Sequence, residues 1–289
     1  MCVLKADRVT MLERKENMTN HITLTGNLGS GKSTICKIMD EKYSYEIYST
    51  GKVQRSIAAE MGITVLEMNQ LMCEDPRYDH LIDDATAKIS KDNLEKKIVF
   101  DSRLAWHFVD CSFKIFLSVN IDEAARRVYA DTKRGEVEKY KSEAEARELL
   151  IKRANTEDKR YRDIYGLEYF DFTNYNLILD SSHAAPELLA GIMKHENDIF
   201  DEKAPGKTRI LVSPFELLNK KDDNKKGTYA TAEAGLASVD AGKYYPEGNI
   251  GVRYENGKFE LAGPSDGKAV DMLNMAVENG FQFVLCYLA

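Results

Sequence analysis

Eight residues, Gly26-Asn27-Leu28-Gly29-Ser30-Gly31-Lys32-Ser33, carry the clearest chemistry in this 289-residue sequence. They satisfy the spacing G-x-x-x-x-G-K-[ST], in which each fixed position has a physical job. Small residues let the backbone wrap closely, so its N–H groups point inward at phosphate oxygens. The helix that follows brings its positive end to the same spot. Lys32 is placed to reach the β- and γ-phosphates, and the Ser33 hydroxyl to coordinate magnesium. Gly26, Asn27, Gly29, Ser30, Gly31, Lys32, Ser33 and Thr34 are therefore the expected residues for ATP, with Ser33 for Mg2+. The implied chemistry is phosphoryl transfer.

A phosphate cradle does not say what receives the phosphoryl group. Ser49-Thr50-Gly51-Lys52-Val53-Gln54-Arg55 is more informative. Its spacing delivers Thr50 at a strand end and Arg55 on the next helix, where a guanidinium can grip an acceptor phosphate with two hydrogen bonds. Taken alone, the segment equally fits a helix cap with a solvated arginine. Phe100-Asp101-Ser102-Arg103 closes a second strand, and ligands of open α/β sheets bind beyond such strand ends. Arg103 is expected to share the acceptor phosphate with Arg55, and Asp101 to hold hydroxyls or a metal-bound water. From Ala124 to Tyr165 the chain is rich in cations: Arg126, Arg127, Lys133, Arg134, Lys152, Arg153, Lys159, Arg160 and Arg162. At least half should be solvated helix charges with partners three or four residues away. Arg153 and Arg160, seven apart, share one helical face and are the expected lid cations closing over the phosphates. His107 is expected to be packed or solvated, since positioning and electrostatics carry this chemistry without a general base.

The elements that must position these groups are legible as alternating patterns. Ile22–Thr25, Tyr45–Tyr48, Lys97–Phe100, Phe113–Val119 and Leu177–Leu179 read as strands. Helical patterns run over Ser33–Glu41, Val53–Met72 and Tyr78–Lys91, and a further helix enters at 120–123 with Asp122 as its expected cap. Buried strands alternating with helices imply an α/β fold, a three-layer sandwich around a mostly parallel sheet. Residues 1–20 form a polar leader and 21–200 the P-loop domain. A polar stretch with Pro205 and Gly206 reads as a linker, and 207–289 as a small C-terminal α+β domain. There Asn256-Gly257 predicts a hairpin between strands ending at 255 and starting at 258, followed by a helix to Glu278 and a strand from Phe281.

Composition limits the functions available. The hydrophobic fraction of 43% and charged fraction of 30% are those of a folded protein. No apolar run reaches the roughly 20 residues of a membrane span, and the polar N-terminus predicts a cytoplasmic protein. A net charge of -7 argues against nonspecific nucleic-acid binding. Five scattered cysteines, without a CxxC pair, predict buried or incidental thiols.

Together these residues resemble the archaeal-type cytidylate kinases, within the wider nucleoside monophosphate kinases, over about residues 20–200. The resemblance rests on residues 22–34, Ser49-Thr50-Gly51 with Arg55, Glu74-Asp75-Pro76, and Asp101-Ser102-Arg103-Leu104-Ala105. It continues in Lys159-Arg160-Tyr161-Arg162-Asp163-Ile164-Tyr165-Gly166 and in Tyr175 to Ser182. It implies transfer of the ATP γ-phosphate to CMP or dCMP with magnesium. It also implies that Arg55 and Arg103 face the monophosphate while Arg153 and Arg160 belong to the lid. The chain departs from the family's pattern at Ser102, where a glycine is usual, and at Trp106-His107, where smaller residues are. Those departures fall at the acceptor pocket and leave two other readings open: a kinase for another small acceptor, or a nucleotide sensor acting on a protein or effector partner through 207–289. Residues 257–263 with the following helix faintly resemble the ParB/sulfiredoxin-like fold. Its polar turn signature is absent, so no second catalytic site is expected there.

Overall fold

The structure, a computed structural model, describes residues 20–63, 65–131, 140–204, 206–220, 250–263 and 267–289. Most of the expected leader, with Lys133 and Arg134, lies outside the described residues. In chain order the elements are β1 (His21–Gly26), α1 (Lys32–Tyr43), β2 (Glu46–Ser49), α2 (Thr50–Glu60), α3 (Val65–Glu74), α4 (Arg77–Asp92) and β3 (Ile98–Asp101). There follow α5 (Ala105–Phe108), β4 (Phe113–Ser118), α6 (Ile121–Ala130), α7 (Glu143–Tyr165), β5 (Leu177–Asp180) and α8 (Pro186–Ile199). The chain continues with β6 (Arg209–Val212), α9 (Pro214–Leu217), β7 (Ile250–Glu255), β8 (Lys258–Leu261), α10 (Gly267–Glu278) and β9 (Val284–Leu288).

The strands join in the order β2-β3-β1-β4-β5-β6-β9-β7-β8. The first six run parallel, as the alternation of buried strands with helices predicts. Period-two alternation sorts their side chains to two cores. Phe113, Ile115 and Leu117 of β4, with Leu177 and Leu179 of β5, pack on the face covered by Ile35 and Met39 of α1 and Leu188 and Ile192 of α8. Phe116 and Ile178 point the other way, among Trp106, Tyr161, Tyr169, Phe172 and Tyr175. Phe116 is fully buried, with ring centroids of Phe172 and Tyr175 at 5.0 and 5.3 Å. Helices α2, α3 and α4 bury a separate small cluster of Ala58, Met68, Met72 and Ile82. The free thiols of Cys36 and Cys286 are buried and that of Cys111 is exposed.

Three local expectations are corrected. The helical pattern over Val53–Met72 is two helices. The backbone N–H groups of Met61, Gly62 and Ile63 bond back to Ile57, Ala59 and Ala58, and Gly62 turns the chain with φ 69°. The cap of α6 is Asn120 rather than Asp122: the Asn120 carboxamide accepts from the Asp122 amide at 2.9 Å. Residues 207–289 do hold the expected strands and helix, yet their strands extend the first sheet instead of forming one of their own. β6 pairs in parallel with β5, β9 lies antiparallel to β6, and β7 is parallel to β9. The composition shift near residue 201 marks an exposed connection between neighbouring strands, since polar surface loops and linkers share one composition.

Asn256 and Gly257 adopt φ 52° and 80°, the turn that the Asn-Gly pair predicts between β7 and β8. A Cβ on Gly257 would sit 3.1 Å from Cβ of Ile121, so the hairpin tip packs tightly on α6. Phe259, 3% exposed, packs with Phe172 and with Tyr254, its centroid 5.8 and 5.0 Å from theirs. The added strands thus share the aromatic core behind the P-loop. Phe259→Ala should lower the free energy of unfolding by about 3–5 kcal/mol, read as a reduced urea midpoint at unchanged slope.

Candidate active site

The P-loop begins where β1 ends. Gly26 has φ 147°, and a Cβ there would lie 2.2 Å from the carbonyl oxygen of Leu117 on β4. Only glycine lets β1 pass β4 so closely, and the Asn27 amide then donates to that same carbonyl at 3.1 Å. The loop turns through Ser30, whose hydroxyl donates to the Asn27 carbonyl at 2.7 Å, into α1. Lys32 starts the helix and folds back, its Nζ donating to the carbonyls of Gly26 at 3.0 Å and Asn27 at 3.2 Å. Ser33 and Thr34 are exposed to the cleft.

This cleft, of about 900 Å3, brings together groups from distant parts of the chain. One wall is the P-loop, residues 28–34. Facing it are Ser49, Thr50 and Gly51 where β2 passes into α2, and Asp101, Ser102 and Arg103 at the end of β3. The two strand ends are tied: Ser49 Oγ donates to Asp101 Oδ2 at 3.3 Å, and Thr50 Oγ1 reaches the Asp101 carbonyl at 3.5 Å. Arg153 and Arg160 of α7 reach the same cleft, as their common helical face predicts. Arg55 belongs to α2, and its side chain lies outside the described residues.

Glu157 organises the cations. It pairs with Arg103 at 3.2 Å and with Arg153 at 2.9 Å. Burial disfavours its charge, but Arg103 and Arg153 outweigh this and hold the carboxyl below its usual range. Burial likewise opposes charge on Arg103, and the Glu157 carboxylate reverses the balance, holding that guanidinium firmly protonated. Arg103 also donates to the Gly26 carbonyl and to Tyr169 Oη at 3.2 Å, while Tyr169 donates to the same carbonyl. On Lys32 the balance falls the other way: burial, reinforced by the Arg103 charge, outweighs the pull of Asp101 and Glu157 and brings its ammonium down to about 7.

Sequence reasoning missed several residues of the site. Glu157 sits four residues after Arg153 and three before Arg160, so it was readable as their partner. Arg127 stood in the cation list as one of many. It lines the cleft and bridges the P-loop to β5, donating to the Gly29 carbonyl at 3.3 Å and the Ser181 carbonyl at 2.7 Å. Tyr254 could not have been found, because its contact depends on the extended sheet: its hydroxyl donates to Asn27 Oδ1 at 3.2 Å across 227 residues of sequence. As expected, Arg126, Lys159 and Arg162 are exposed and paired within their own surroundings, with Glu123, Asp163, and Asp158 together with Glu168. His107 is exposed on α5, against Trp106 and outside the cleft.

A mostly parallel sheet with the phosphate loop after its first strand, and the ends of β2 and β3 facing that loop across one cleft, fits a P-loop phosphotransferase of the nucleoside monophosphate kinase class. Comparison with known proteins places it more closely. The cytidylate kinase-like family matches residues 21–183, more than half of the sequence, and the chain belongs to that family. It is 34% identical over 160 residues to the cytidylate kinase of Methanothrix thermoacetophila, covering 55% of this chain and 87% of that protein. Identity to the cytidylate kinase of Thermococcus kodakarensis is 32% over 174 residues, 60% of this chain and 85% of that protein. A third relative, named S-adenosylmethionine-dependent nucleotide dehydratase, from Lacinutrix mariniflava, is 30% identical over 180 residues. The match covers 62% of this chain and 36% of that longer protein.

The depressed Lys32 ammonium makes nucleotide binding proton-linked. Triphosphate oxygens beside Lys32 favour its charged form, so binding of ATP at about pH 8.5 should take up as much as one proton. Calorimetry in buffers of different ionisation enthalpy measures this. The uptake should vanish in Lys32→Met, and should fall away as the pH drops through about 7, where the lysine becomes charged before binding.

Proposed function

We propose that this enzyme transfers the γ-phosphoryl group of ATP to the phosphate of a nucleoside monophosphate, with CMP and dCMP as preferred acceptors. The observation that carries the reading is the single cleft: the P-loop, the strand ends at Thr50 and Asp101–Arg103, and the α7 arginines all line it. Backbone N–H groups of the loop and the start of α1 would hold the β- and γ-phosphates, with Lys32 swinging from its carbonyl partners onto them. Thr50, Arg55, Asp101 and Arg103 would receive the acceptor, its phosphate on the two arginines. Arg153 and Arg160 would spread positive charge over the transferring group and exclude water. Glu157 would keep Arg103 and Arg153 in register until the phosphates arrive.

The donor set fits magnesium of the kind such a reaction uses. No cluster of three or more His, Cys, Asp or Glu side chains forms among the described residues. Mg2+ in phosphoryl-transfer sites takes few protein ligands, being held largely by phosphate oxygens and water. Ser33, with Asp101 acting through a water, supplies what is needed, and the bound ion would neutralise charge between the β- and γ-phosphates. The preference for cytidine nucleotides is supported by the cytidylate kinase relatives and by the family match over residues 21–183, which contains every proposed site residue. Residues 207–289 brace the P-loop through Tyr254 in this reading, and remain available for an effector or partner. No helix among the described residues is long and apolar enough to cross a membrane, and a cytoplasmic location is part of the proposal.

An ADP-release assay with ATP, magnesium and CMP, dCMP, UMP, AMP or GMP tests the reading. Turnover with cytidine nucleotides within about 1–100 per second is the expected result, and no turnover with any of the five overturns it. Lys32→Ala should abolish transfer while the far-UV circular dichroism stays unchanged. Arg103→Ala should raise KM for the monophosphate at least ~10-fold, the loss of one charge-assisted hydrogen bond, and by more than it raises KM for ATP. An unchanged monophosphate KM would remove Arg103 from the acceptor site.

A further inference from the structure

The acceptor side of the cleft carries two carboxylates for which phosphoryl transfer has no use. Asp79 and Asp83 lie four residues apart on α4, hence on one face, and both line the cleft beside Gln54, Met72 and Ile82. They are 6% and 8% exposed. Oδ1 of Asp79 faces Arg160 Nη2 at 3.7 Å, while its buried Oδ2 has no hydrogen-bond partner among the described residues. Asp83 accepts the hydroxyl of Tyr165 through one oxygen. Burial pushes both carboxyls up, Asp83 to about 6. The orphaned Oδ2 of Asp79 is expensive to bury without a donor, so its place at the cleft wall calls for a donor on a ligand, with Asp83 one helical turn away.

The substrates' own chemistry narrows which donor that is. Phosphates are repelled by carboxylates and belong with Lys32, Arg103 and Arg153 beside the P-loop, while Arg160 is paired to Asp79. A cation site would need further oxygen ligands, and no third carboxylate joins these two among the described residues. A nucleoside monophosphate then has its sugar and base left to place. Apolar Met72 and Ile82 beside the carboxylates suit a flat ring better than a ribose, leaving a ring N–H or an amino group as the donor. Resting on the monophosphate kinase reading above, we infer that Asp79 and Asp83 read the exocyclic amino group of the acceptor base. Cytosine presents an amino group at C4, where uracil presents a carbonyl oxygen. Against a carboxylate, the first makes a charge-assisted hydrogen bond and the second sets acceptor against acceptor. A site built to bond a polar group rejects an analogue that lacks it far more strongly than an apolar pocket rejects a size change.

Kinetics with CMP and UMP on wild type, Asp79→Asn and Asp83→Asn tests the assignment. Wild type should favour CMP over UMP by at least ~100-fold in kcat/KM. An asparagine can donate to a C4 carbonyl as well as accept from an amine, so Asp79→Asn should narrow that ratio at least ~10-fold while KM for ATP stays put. A role confined to holding Arg160 would lower kcat for both nucleotides equally and leave the ratio intact. An unchanged ratio in both variants, or equal use of CMP and UMP by wild type, overturns the inference while the kinase reading stands. Failure of wild type to phosphorylate any monophosphate overturns both. Thermal melts of each variant establish folding, and if Asp79→Asn does not fold, Asp83→Asn carries the same ratio test.

Discussion

Bringing Lys32, Arg103, Arg153 and Arg160 to one cleft sets like charges against each other in a partly desolvated space. Two such charges 4 Å apart repel by about 4 kcal/mol at the effective dielectric of a protein surface. Glu157 is the counter-charge that makes the arrangement tenable, paired to Arg103 on one side and Arg153 on the other. Through Arg103 the same pair reaches the Gly26 carbonyl, so the charge balance of α7 and the geometry of the P-loop are one problem. On Lys32, burial and the Arg103 charge outweigh Asp101 and Glu157 and depress the ammonium. Under the proposed function, incoming phosphates would supply the missing negative charge, and the site would be electrostatically complete only around its substrates.

The scaffold makes these contacts possible by aiming strand ends at one edge. β1, β2 and β3 finish side by side, with Gly26, Ser49 and Asp101 at their last positions. Because the strands are parallel, each hands its next residues to the same crevice. The cleft's polar contents therefore stand on a rigid base, whereas Arg153 and Arg160 come from a long helix joined to that base through Glu157, Tyr161 and Tyr169.

Much of this was legible from residue types and spacing. The P-loop, the parallel order of strands, and the common face of Arg153 and Arg160 follow from local rules with strong physical content. The Asn-Gly hairpin was equally plain, since few dipeptides tolerate two positive φ angles. What was hidden is non-local. Arg127 looked like any other helix arginine until the end of β5 came beside it. Trp106, expected as a departure at the acceptor pocket, is instead buried in the aromatic core with Tyr175. Above all, a polar connection at residues 201–207 gave no sign that the strands beyond it would pair with those before it. Edge pairing is decided by which neighbour presents free N–H and C=O groups, a property of the assembled sheet and of no segment by itself.

That continuous sheet has a consequence for how the molecule comes into being. β9, residues 284–288, lies between β6 and β7 and pairs with both. The hairpin that reaches Asn27 therefore cannot dock until residues 284–288, which follow it in the sequence, have also emerged from the ribosome. Until then β6 presents an unpaired edge, and the nascent chain is a natural client for chaperones.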